Sequence, residues 1–323
     1  MHNGAHSEPF HLSIAPGEAS QRLDTYLATV LDITRSRAQT YLSQGHVWVN
    51  QKAAPKSYQT CAGDLITGLL PAPLPVDALP EPIPLDIVYE DAHLFVINKP
   101  QGMVVHPAPG HATGTLVNGL LHHCGALGAG PLGDCSPMRP GIVHRLDKNT
   151  SGLLVAAKTE AAHHALSAQL AARTMGRTYH ALAAGRFRED AFSVDAPLGR
   201  DRKDRKKMAV IPPLDHRKSR DALTHFRVLQ TFPGAALVEA RLVTGRTHQI
   251  RVHLAHTGHP VLGDDVYGGK LSHFPKTEGQ LLHASCLALA HPATGETLQF
   301  TAPYPAHFEA ALSTLCNKKA APW

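Results

Sequence analysis

Residues Gly141–Lys158 read GIVHRLDKNTSGLLVAAK and join two apolar runs through a polar loop. The runs, Ile142–Val143 and Leu153–Ala157, have the aliphatic composition of buried strands. Between them, Asn149–Gly152 supplies the amide, hydroxyl and glycine residues that are typical of a turn. The pattern therefore predicts a strand–loop–strand unit that presents Asp147 from a rigid frame.

Asp147 has two cations beside it, Arg145 and Lys148, which stabilise a carboxylate anion. A single aspartate in a charged loop is most often a solvated surface residue, so this feature alone does not indicate an active site. However, His144-Arg-Leu-Asp147 followed by Lys-x-Thr-Ser-Gly-Leu-Leu resembles the active-site motif of the RluA-type RNA pseudouridine synthases. The resemblance implies that Asp147 is the catalytic aspartate of an enzyme that isomerises uridine.

Two further segments resemble the same family. In the family, the last arginine of the segment that matches Gly245-Arg-Thr-His-Gln-Ile-Arg251 pairs with the catalytic aspartate, which implies that Arg251 holds Asp147. The segment Tyr179-x-Ala-x-x-x-Gly185 resembles the family's second catalytic motif, which implies that Tyr179 is a catalytic residue that stacks on the target base and can assist removal of the C5 proton. Without the resemblance, a tyrosine on a strand would be interpreted as part of the core.

The other site predictions concern contacts with RNA. Arg145 is expected to fill the space that an extruded uridine leaves, because its planar guanidinium can stack on the neighbouring bases. Leu282 is expected to line the pocket, as the matching aliphatic residue does in the family. The full set of residues predicted to contact the substrate is His144, Arg145, Arg246, Leu282, Arg35, Arg37, Arg202, Arg205 and Lys206.

Positive charge is concentrated around these motifs. The chain of 323 residues has a net charge of +5, but Pro140–Arg251 alone contains 20 Lys and Arg against 10 Asp and Glu. Within it, Arg200–Lys207 packs six cations and two carboxylates into eight residues. A charged run is usually a solvated surface, yet its place in the basic segment favours contact with the phosphates of a polyanion.

The N-terminal pattern is a helix near residues 21–31, a second helix from Arg35, and then the short strand and turn of Gly45–Asn50. This order resembles the S4 RNA-binding domain over about residues 20–68. The resemblance puts Arg35 and Arg37 at a helix N-terminus, where backbone N–H and guanidinium groups together can hold a phosphate. A small packing domain remains the alternative, since the first 68 residues contain as many acidic as basic side chains.

Six prolines between residues 69 and 84 predict a semi-rigid linker, because they prevent both helix and β-ladder formation. The predicted organisation is a flexible arm at 1–19, an S4-like RNA-binding domain at 20–68, the Pro-rich linker at 69–84, a catalytic domain at 85–315 and a tail at 316–323. The family resemblance, rather than any periodicity, implies the fold class. It is α+β, with an S4-like module and a pseudouridine synthase domain that has a long mixed, mainly antiparallel sheet.

No cofactor and no metal site are expected. Pseudouridine formation breaks the N1–C1′ bond of uridine and rejoins the ring through C5, so it consumes no oxidant and no energy donor. The segment Gly128–Gly133 has the spacing of a dinucleotide-binding loop, but Pro131 lies inside it and no strand precedes it. The adjacent His163 and His164 would face different sides of a helix, and no cysteines or carboxylates accompany them at ligand spacing.

The expected compartment is the cytoplasm. The five cysteines include no Cys-x-x-Cys pair, which favours free thiols in a reducing environment. Residues 1–10 lack the basic and then apolar pattern of a signal peptide, and no apolar run reaches the length of a membrane span. No membrane partner is therefore predicted.

The predicted function is isomerisation of a flipped-out uridine to pseudouridine in 23S (large-subunit) ribosomal RNA, in the helix 69 stem-loop. The central motifs match most closely the D-type enzymes of the family, which modify that RNA. The expected partner is ribosomal RNA or the nascent large subunit, and a monomer is expected. Whether Asp147 attacks C1′ or removes a ribose proton stays open.

A non-catalytic RNA-binding ribosome-assembly factor is the alternative function. The combination of Asp147, Tyr179 and Arg251 disfavours it. A glycosidase is disfavoured because the motif offers one carboxylate where that reaction usually needs two. A kinase is disfavoured because the chain has no Asp-Phe-Gly segment and no glycine-rich lid.

Overall fold

The chain divides into two units, Met1–Pro75 and Val76–Trp323, and the boundary falls inside the proline-rich segment 69–84. The computed structural model of the protein describes residues 8–31, 35–70, 78–107, 111–126, 141–202, 204, 207–212, 219–268 and 277–317. Among these residues, no helix has the length and apolar character that a membrane crossing requires.

The first unit packs two helices against a four-stranded antiparallel sheet with the strand order β1-β4-β2-β3. Its elements are β1 (Glu8–Ser13), a 3₁₀ turn (Pro16–Glu18), α1 (Leu23–Val30), α2 (Arg35–Ser43), β2 (Val47–Val49), β3 (Lys52–Ala53) and β4 (Leu65–Leu70). Leu23 and Leu27 lie one turn apart on α1 and are buried with Ala38 of α2 against Val47 and Ile66 of the sheet. Burial of this apolar surface stabilises the unit.

Residues 8–13 differ from the expectation of a flexible arm at 1–19. They form β1, which pairs with β4 along its whole length. Phe10, Leu12 and Ile14 alternate with polar residues and contact the core of the first unit, which explains why the segment is ordered as a strand. This alternation covers only three apolar residues, too few to identify a strand before the partner strand is known. The residues before Glu8 lie outside the described part of the chain.

The second unit is built on a nine-stranded sheet with the order β5-β6-β7-β15-β8-β14-β13-β9, in which β16 pairs with β15. Its elements are β5 (Ile87–Glu90), β6 (Leu94–Lys99), α3 (Leu116–Ala126), β7 (Ser151–Ala157), α4 (Glu160–Ala171), β8 (Gly176–Ala184), β9 (Ala191–Asp195), β10 (Leu198–Arg200), β11 (Met208–Val210), β12 (Ser219–Arg220), β13 (Leu223–Phe232), β14 (Ala235–Leu242), α5 (Gln249–His256), β15 (Leu282–Ala290), β16 (Thr297–Thr301) and α6 (Ala306–Asn317). Strands β10, β11 and β12 form a separate small sheet. In the large sheet, β7 and β15 are parallel and the other described pairs are antiparallel. The predicted α+β fold with a mixed, mainly antiparallel sheet is confirmed.

Helices cover both faces of the large sheet. Helices α3 and α5 pack on one face, where alternate strand residues such as Phe95, Tyr179 and Leu282 point. Helices α4 and α6 pack on the opposite face, against residues of the other parity such as Val96 and Leu182. Two of the predicted site residues, Tyr179 and Leu282, are therefore on the face that α3 and α5 share.

The predicted strand at residues 142–143 is not formed. Ile142 makes one isolated β-bridge with Ala156, and Gly141 accepts a hydrogen bond from the backbone N–H of Ala157 at 2.7 Å. Strand β15 pairs with β7 only at the first two residues of β7. The short segment at 141–142 occupies the rest of that edge before the chain turns away into the loop that carries Asp147.

Gly152 allows β7 and β15 to approach each other where their parallel pairing begins. Its φ is +106°, and a Cβ atom at this position would lie 2.3 Å from the carbonyl oxygen of Ala284. Only glycine fits such a position. The close approach brings the loop before β7 to the same edge of the sheet as the start of β15.

His283 supplies a pH-dependent contribution to stability. It is fully buried on β15, and its Nδ1 is 2.9 Å from Ser151 Oγ. Burial lowers the pKa of His283 from 6.5 to about 4. Between these two pH values the unfolded chain binds a proton that the native state does not bind, so stability is lost as the pH falls through this window.

We expect the buried, unprotonated His283 alone to lower the free energy of unfolding by about 2 kcal/mol at pH 5. Each pH unit between 6.5 and the native pKa removes ~1.4 kcal/mol of that free energy. Thermal unfolding at pH 7.5 and pH 5 measures this loss. A His283→Asn variant should lose less stability than the wild type between the two pH values. Equal losses in the two proteins would show that another group is responsible.

Candidate active site

A cleft of about 460 Å³ opens on the face of the sheet that α3 and α5 cover. This volume lies in the range of ~300–1,000 Å³ that is typical of small-molecule pockets, so the cleft suits one extruded residue of a polymer. The structure brings seven of the sequence-predicted residues into its wall: His144, Arg145, Asp147, Tyr179, Arg246, Arg251 and Leu282.

Asp147 and Arg251 contact each other inside the cleft. The Nη1 of Arg251 donates a hydrogen bond to Oδ2 of Asp147 at 2.9 Å. The side chain of Arg251 is 5% exposed and that of Asp147 is 16% exposed, so the pair is shielded but the carboxylate still reaches the cleft. A contact of this kind is stronger than an exposed ion pair, because less solvent screens it.

Asp264 holds the rest of the Arg251 guanidinium. The Nε and Nη2 of Arg251 donate to the two carboxylate oxygens of Asp264 at 2.6 and 2.9 Å, a bidentate arrangement. Burial acts to lower the pKa of Arg251, but the hydrogen bonds and charge of Asp264, together with Asp147, outweigh it and hold that pKa above its ordinary value. Burial likewise acts to raise the pKa of Asp264, and the contact with Arg251 reverses this and lowers it. Both groups are therefore charged at neutral pH.

Lys99 fixes the position of the loop that carries Asp147. Its Nζ is fully buried and donates to the carbonyl oxygens of Pro100, Met103 and Lys148 at 2.7, 2.9 and 3.1 Å. Three acceptors match the three N–H bonds of an ammonium group. Burial lowers the pKa of Lys99 to about 7, and the charge of Asp147 acts in the opposite direction.

Tyr179 presents a neutral phenol to the cleft. Its side chain is buried, and burial raises its pKa, with Asp147 adding to this effect and Arg177 opposing it. A phenol with a raised pKa is a weak base at neutral pH, so the ring is better suited to stacking than to proton removal.

His248 lies on the other side of Asp147, with its Nε2 at 3.9 Å from Oδ1. Its Nδ1 is 2.7 Å from the hydroxyl of Tyr267, which accepts a hydrogen bond from the backbone N–H of Met208. Burial lowers the pKa of His248, while Asp147 opposes the shift. The Nε2 side of the His248 ring faces the carboxylate.

The predicted RNA-contacting residues of the cleft differ in their surroundings. Arg145 is exposed, and Arg246 donates from Nε to the carbonyl oxygen of Asp221 at 2.9 Å. His144 points inward, where its Nε2 accepts from the backbone N–H of Val155 at 3.1 Å. Burial, with Arg177 adding, lowers the pKa of His144 to about 3, so this residue is a neutral structural contact to β7.

The predicted contacts outside the cleft are only partly described. Arg202 is exposed and does not line the cleft, and Arg205 and Lys206 lie outside the described residues. Helix α2 begins at Arg35, as the sequence predicts, while the side chains of Arg35 and Arg37 lie outside the described part. Within that part, no group of three or more His, Cys, Asp or Glu side chains could hold a metal ion.

Sequence reasoning gave Lys99, His248 and Asp264 no individual contact, although Lys99 lies in an Asn-Lys-Pro-x-Gly segment that resembles a family motif supporting the active-site loop. For Asp264 a local signal exists, because its carboxylate accepts from the backbone N–H groups of Val266 and Tyr267 at 2.9 and 3.0 Å, as in an Asx turn. That signal predicts a turn but not the contact with the arginine. The partners of all three residues are visible only after the chain has folded.

Known proteins match this chain along most of its length. The family model described as RNA pseudouridylate synthase matches residues 93–256, and the S4 domain model matches residues 21–66. A Bacillus subtilis (strain 168) protein named as an uncharacterized RNA pseudouridine synthase is 47% identical over 292 residues, which is 89% of this chain and 92% of the relative. The ribosomal large subunit pseudouridine synthase D of Zymomonas mobilis is 43% identical over 294 residues, 88% of this chain and 90% of the relative.

A solved structure agrees with these matches. The human RNA pseudouridylate synthase domain containing 4 superimposes with a TM-score of 0.56 at 28% identity, over 71% of this chain and 92% of that chain. The family that the motifs predict is thereby confirmed. The chain belongs to the RNA pseudouridylate synthase family, as an RluA-type RNA pseudouridine synthase with an N-terminal S4 domain.

Proposed function

We propose that this enzyme forms pseudouridine in 23S (large-subunit) ribosomal RNA, with the helix 69 stem-loop as its target. Three relatives 43–45% identical to the chain are named ribosomal large subunit pseudouridine synthase D. The S4 domain and the basic segment 140–251 support a polyanionic partner, either ribosomal RNA or the nascent large subunit. We also propose that the enzyme acts in the cytoplasm as a monomer and needs no cofactor.

Asp147 is the proposed catalytic carboxylate, and the observation that carries this is its 2.9 Å contact with Arg251 inside the cleft. Among the described residues that line the cleft, Asp147 is the only carboxylate. A reaction at the sugar–base junction needs one anionic group that is fixed in place. Arg251, which is itself held by its bidentate contact with Asp264, fixes Asp147 in this way. A two-carboxylate glycosidase mechanism has no second group there.

The chemistry follows from the placement of these groups. The N1–C1′ bond breaks and the C5–C1′ bond forms, while C5 loses a proton and N1 gains one. Asp147 either attacks C1′ or removes a ribose proton, and both routes use the same fixed anion. Tyr179 stacks on the uracil ring. The uridine must leave the helical stack, at a cost of a few kcal/mol, and the exposed Arg145 is positioned to fill the vacated space.

Asp147→Asn is expected to reduce pseudouridine formation by at least ~10²–10⁴-fold, because it removes the charge of the catalytic group without changing its size. RNA binding should persist. Reading pseudouridine by chemical mapping and RNA binding by fluorescence anisotropy separates the two effects. Asp265→Asn, the same chemical change at an exposed position, is the control. Full activity of Asp147→Asn would exclude the mechanism.

Asp264→Asn should lower kcat by about 10–100-fold, because it weakens the contact that orients the Arg251 guanidinium. Asp264 is fully buried, and removing one charge of a buried pair should also lower the unfolding free energy by about 3–5 kcal/mol. Steady-state kinetics and thermal unfolding measure the two losses, again with Asp265→Asn as the control. An unchanged kcat in Asp264→Asn would separate this residue from the site.

The target is tested in a strain that lacks the gene. Ribosomal RNA from that strain should miss pseudouridine in helix 69 of the 23S RNA, and the wild-type gene should restore it where Asp147→Asn does not. If the missing pseudouridine lies in another RNA, the proposed target is wrong although the enzyme class stands.

A further inference from the structure

Arg177 lines the same cleft but takes no part in the Asp147–Arg251 arrangement. It lies on β8 two residues before Tyr179, so both side chains point to the same face of the sheet. Two residues of a strand span about 7 Å, so Arg177 and Tyr179 are separated by about this distance along β8. Arg177 is 8% exposed, which makes it one of the three buried cationic residues in the described part of the chain, with Lys99 and Arg251.

Arg177 differs from the other two buried cations in having no hydrogen-bond partner among the residues that the structure describes. Lys99 donates to three carbonyl groups and Arg251 to two carboxylates. Among the described residues, none accepts a hydrogen bond from the Arg177 guanidinium, and its buried Nε is unsatisfied. A buried charge without a partner is costly, so the structure is arranged for a ligand that supplies one.

Gly245 makes room for this guanidinium. A Cβ atom at position 245 would lie 2.5 Å from Nη1 of Arg177. The backbone of Gly245 itself does not require glycine, because its φ is not positive. The missing side chain at 245 therefore serves the arginine, which lies against the backbone of the segment that continues to Arg246.

Among the described residues that line the cleft, no anion pairs with Arg177. Arg145, Arg173 and Arg246 also line it, and Asp147, which Arg251 already pairs, is the only carboxylate among the described lining residues. A guanidinium in such surroundings selects a full negative charge over a neutral carbonyl, because the Coulomb term is large where water is excluded. Its planar fork matches two oxygens of a phosphate.

We propose that Arg177 binds a phosphate of the substrate RNA that flanks the uridine stacked on Tyr179. The spacing of about 7 Å between Arg177 and Tyr179 along β8 is enough to extend from a base stacked on Tyr179 to the sugar–phosphate backbone of that nucleotide. The proposal rests on the proposed catalytic site at Asp147 and Tyr179, but not on helix 69 as the target. Arg177 thus sets the position of the nucleotide, while Asp147 and Arg251 act on its glycosidic bond.

Arg177→Met removes the charge and keeps an apolar side chain of similar length. The rate kcat/KM is measured over a range of salt concentrations on total RNA from a strain that lacks the gene, which contains the target in whichever RNA it lies. We expect a loss of about tenfold or more at low salt, and a salt dependence of log kcat/KM that is shallower by about one unit, as for one lost phosphate contact. Arg177→Lys should keep the salt slope and recover part of the rate.

Arg227→Met is the matched control. Arg227 is exposed, pairs with Glu239 and does not line the cleft, so this variant should keep both the rate and the salt slope. Thermal unfolding gives a second readout. Because no described residue of the free protein pairs with the charge of Arg177, Arg177→Met should raise the Tm. A lowered Tm, or a lower rate with an unchanged salt slope, would overturn the proposal in favour of a structural role or a neutral contact.

Single neutral linkages locate the phosphate. Synthetic stem-loops around the mapped uridine carry one methylphosphonate each, and one position should reduce the wild-type rate by the same factor as Arg177→Met, with no further effect in that variant. If no position does so, the phosphate contact is absent. Wild-type activity on a transfer RNA alone would refute the proposed ribosomal target, and the comparison of Arg177 variants on that RNA would still decide this inference.

Discussion

The guanidinium of Arg251 is the group on which the geometry of the cleft depends. Asp264 holds its Nε and Nη2, and the remaining Nη1 is directed at Asp147. Because a guanidinium is rigid and planar, fixing one edge also fixes the direction of the other donor. Two carboxylates share one cation, so the pair of contacts leaves one surplus negative charge. That charge lies on Asp147, the carboxylate that lines the cleft, since Asp264 is fully buried.

This arrangement needs a stiff frame, because Asp147 and Arg251 are 104 residues apart in the chain. Helix α5 brings Arg251 to the sheet through the buried Ile250 and Leu254. Asp147, the partner of Arg251, lies in a loop, and loops are mobile unless their backbone groups are bound. Lys99 provides that restraint by donating to the carbonyl oxygen next to Asp147 in the chain, that of residue 148. The close parallel approach of β7 and β15 at Gly152 fixes the end of the loop.

The sequence predicts best what is local. The motifs, whose residues are adjacent in the chain, carry the resemblance to the family, and that resemblance implies the α+β fold and the contact of Asp147 with Arg251. The pairing of Glu8–Ser13 with β4 could not be predicted, because three alternating apolar residues form a strand only when a partner edge is present. The contact of Asp264 is hidden for a related reason. Its own turn is visible in the sequence, but its orientation toward the arginine depends on how the segment packs after α5.

Arg177 illustrates why a functional site is a poor place to apply the rules of the protein core. Those rules would exchange a buried, unpaired cation for an apolar residue, and the free protein is destabilised because the exchange has not occurred. A bound phosphate removes that penalty. The charge of Arg177 therefore lowers the stability of the free protein and raises its affinity for the substrate. The surplus negative charge on Asp147 repels a phosphate from the other end of the cleft. The two unlike charges therefore orient a nucleotide, with its backbone at Arg177 and its glycosidic bond at Asp147.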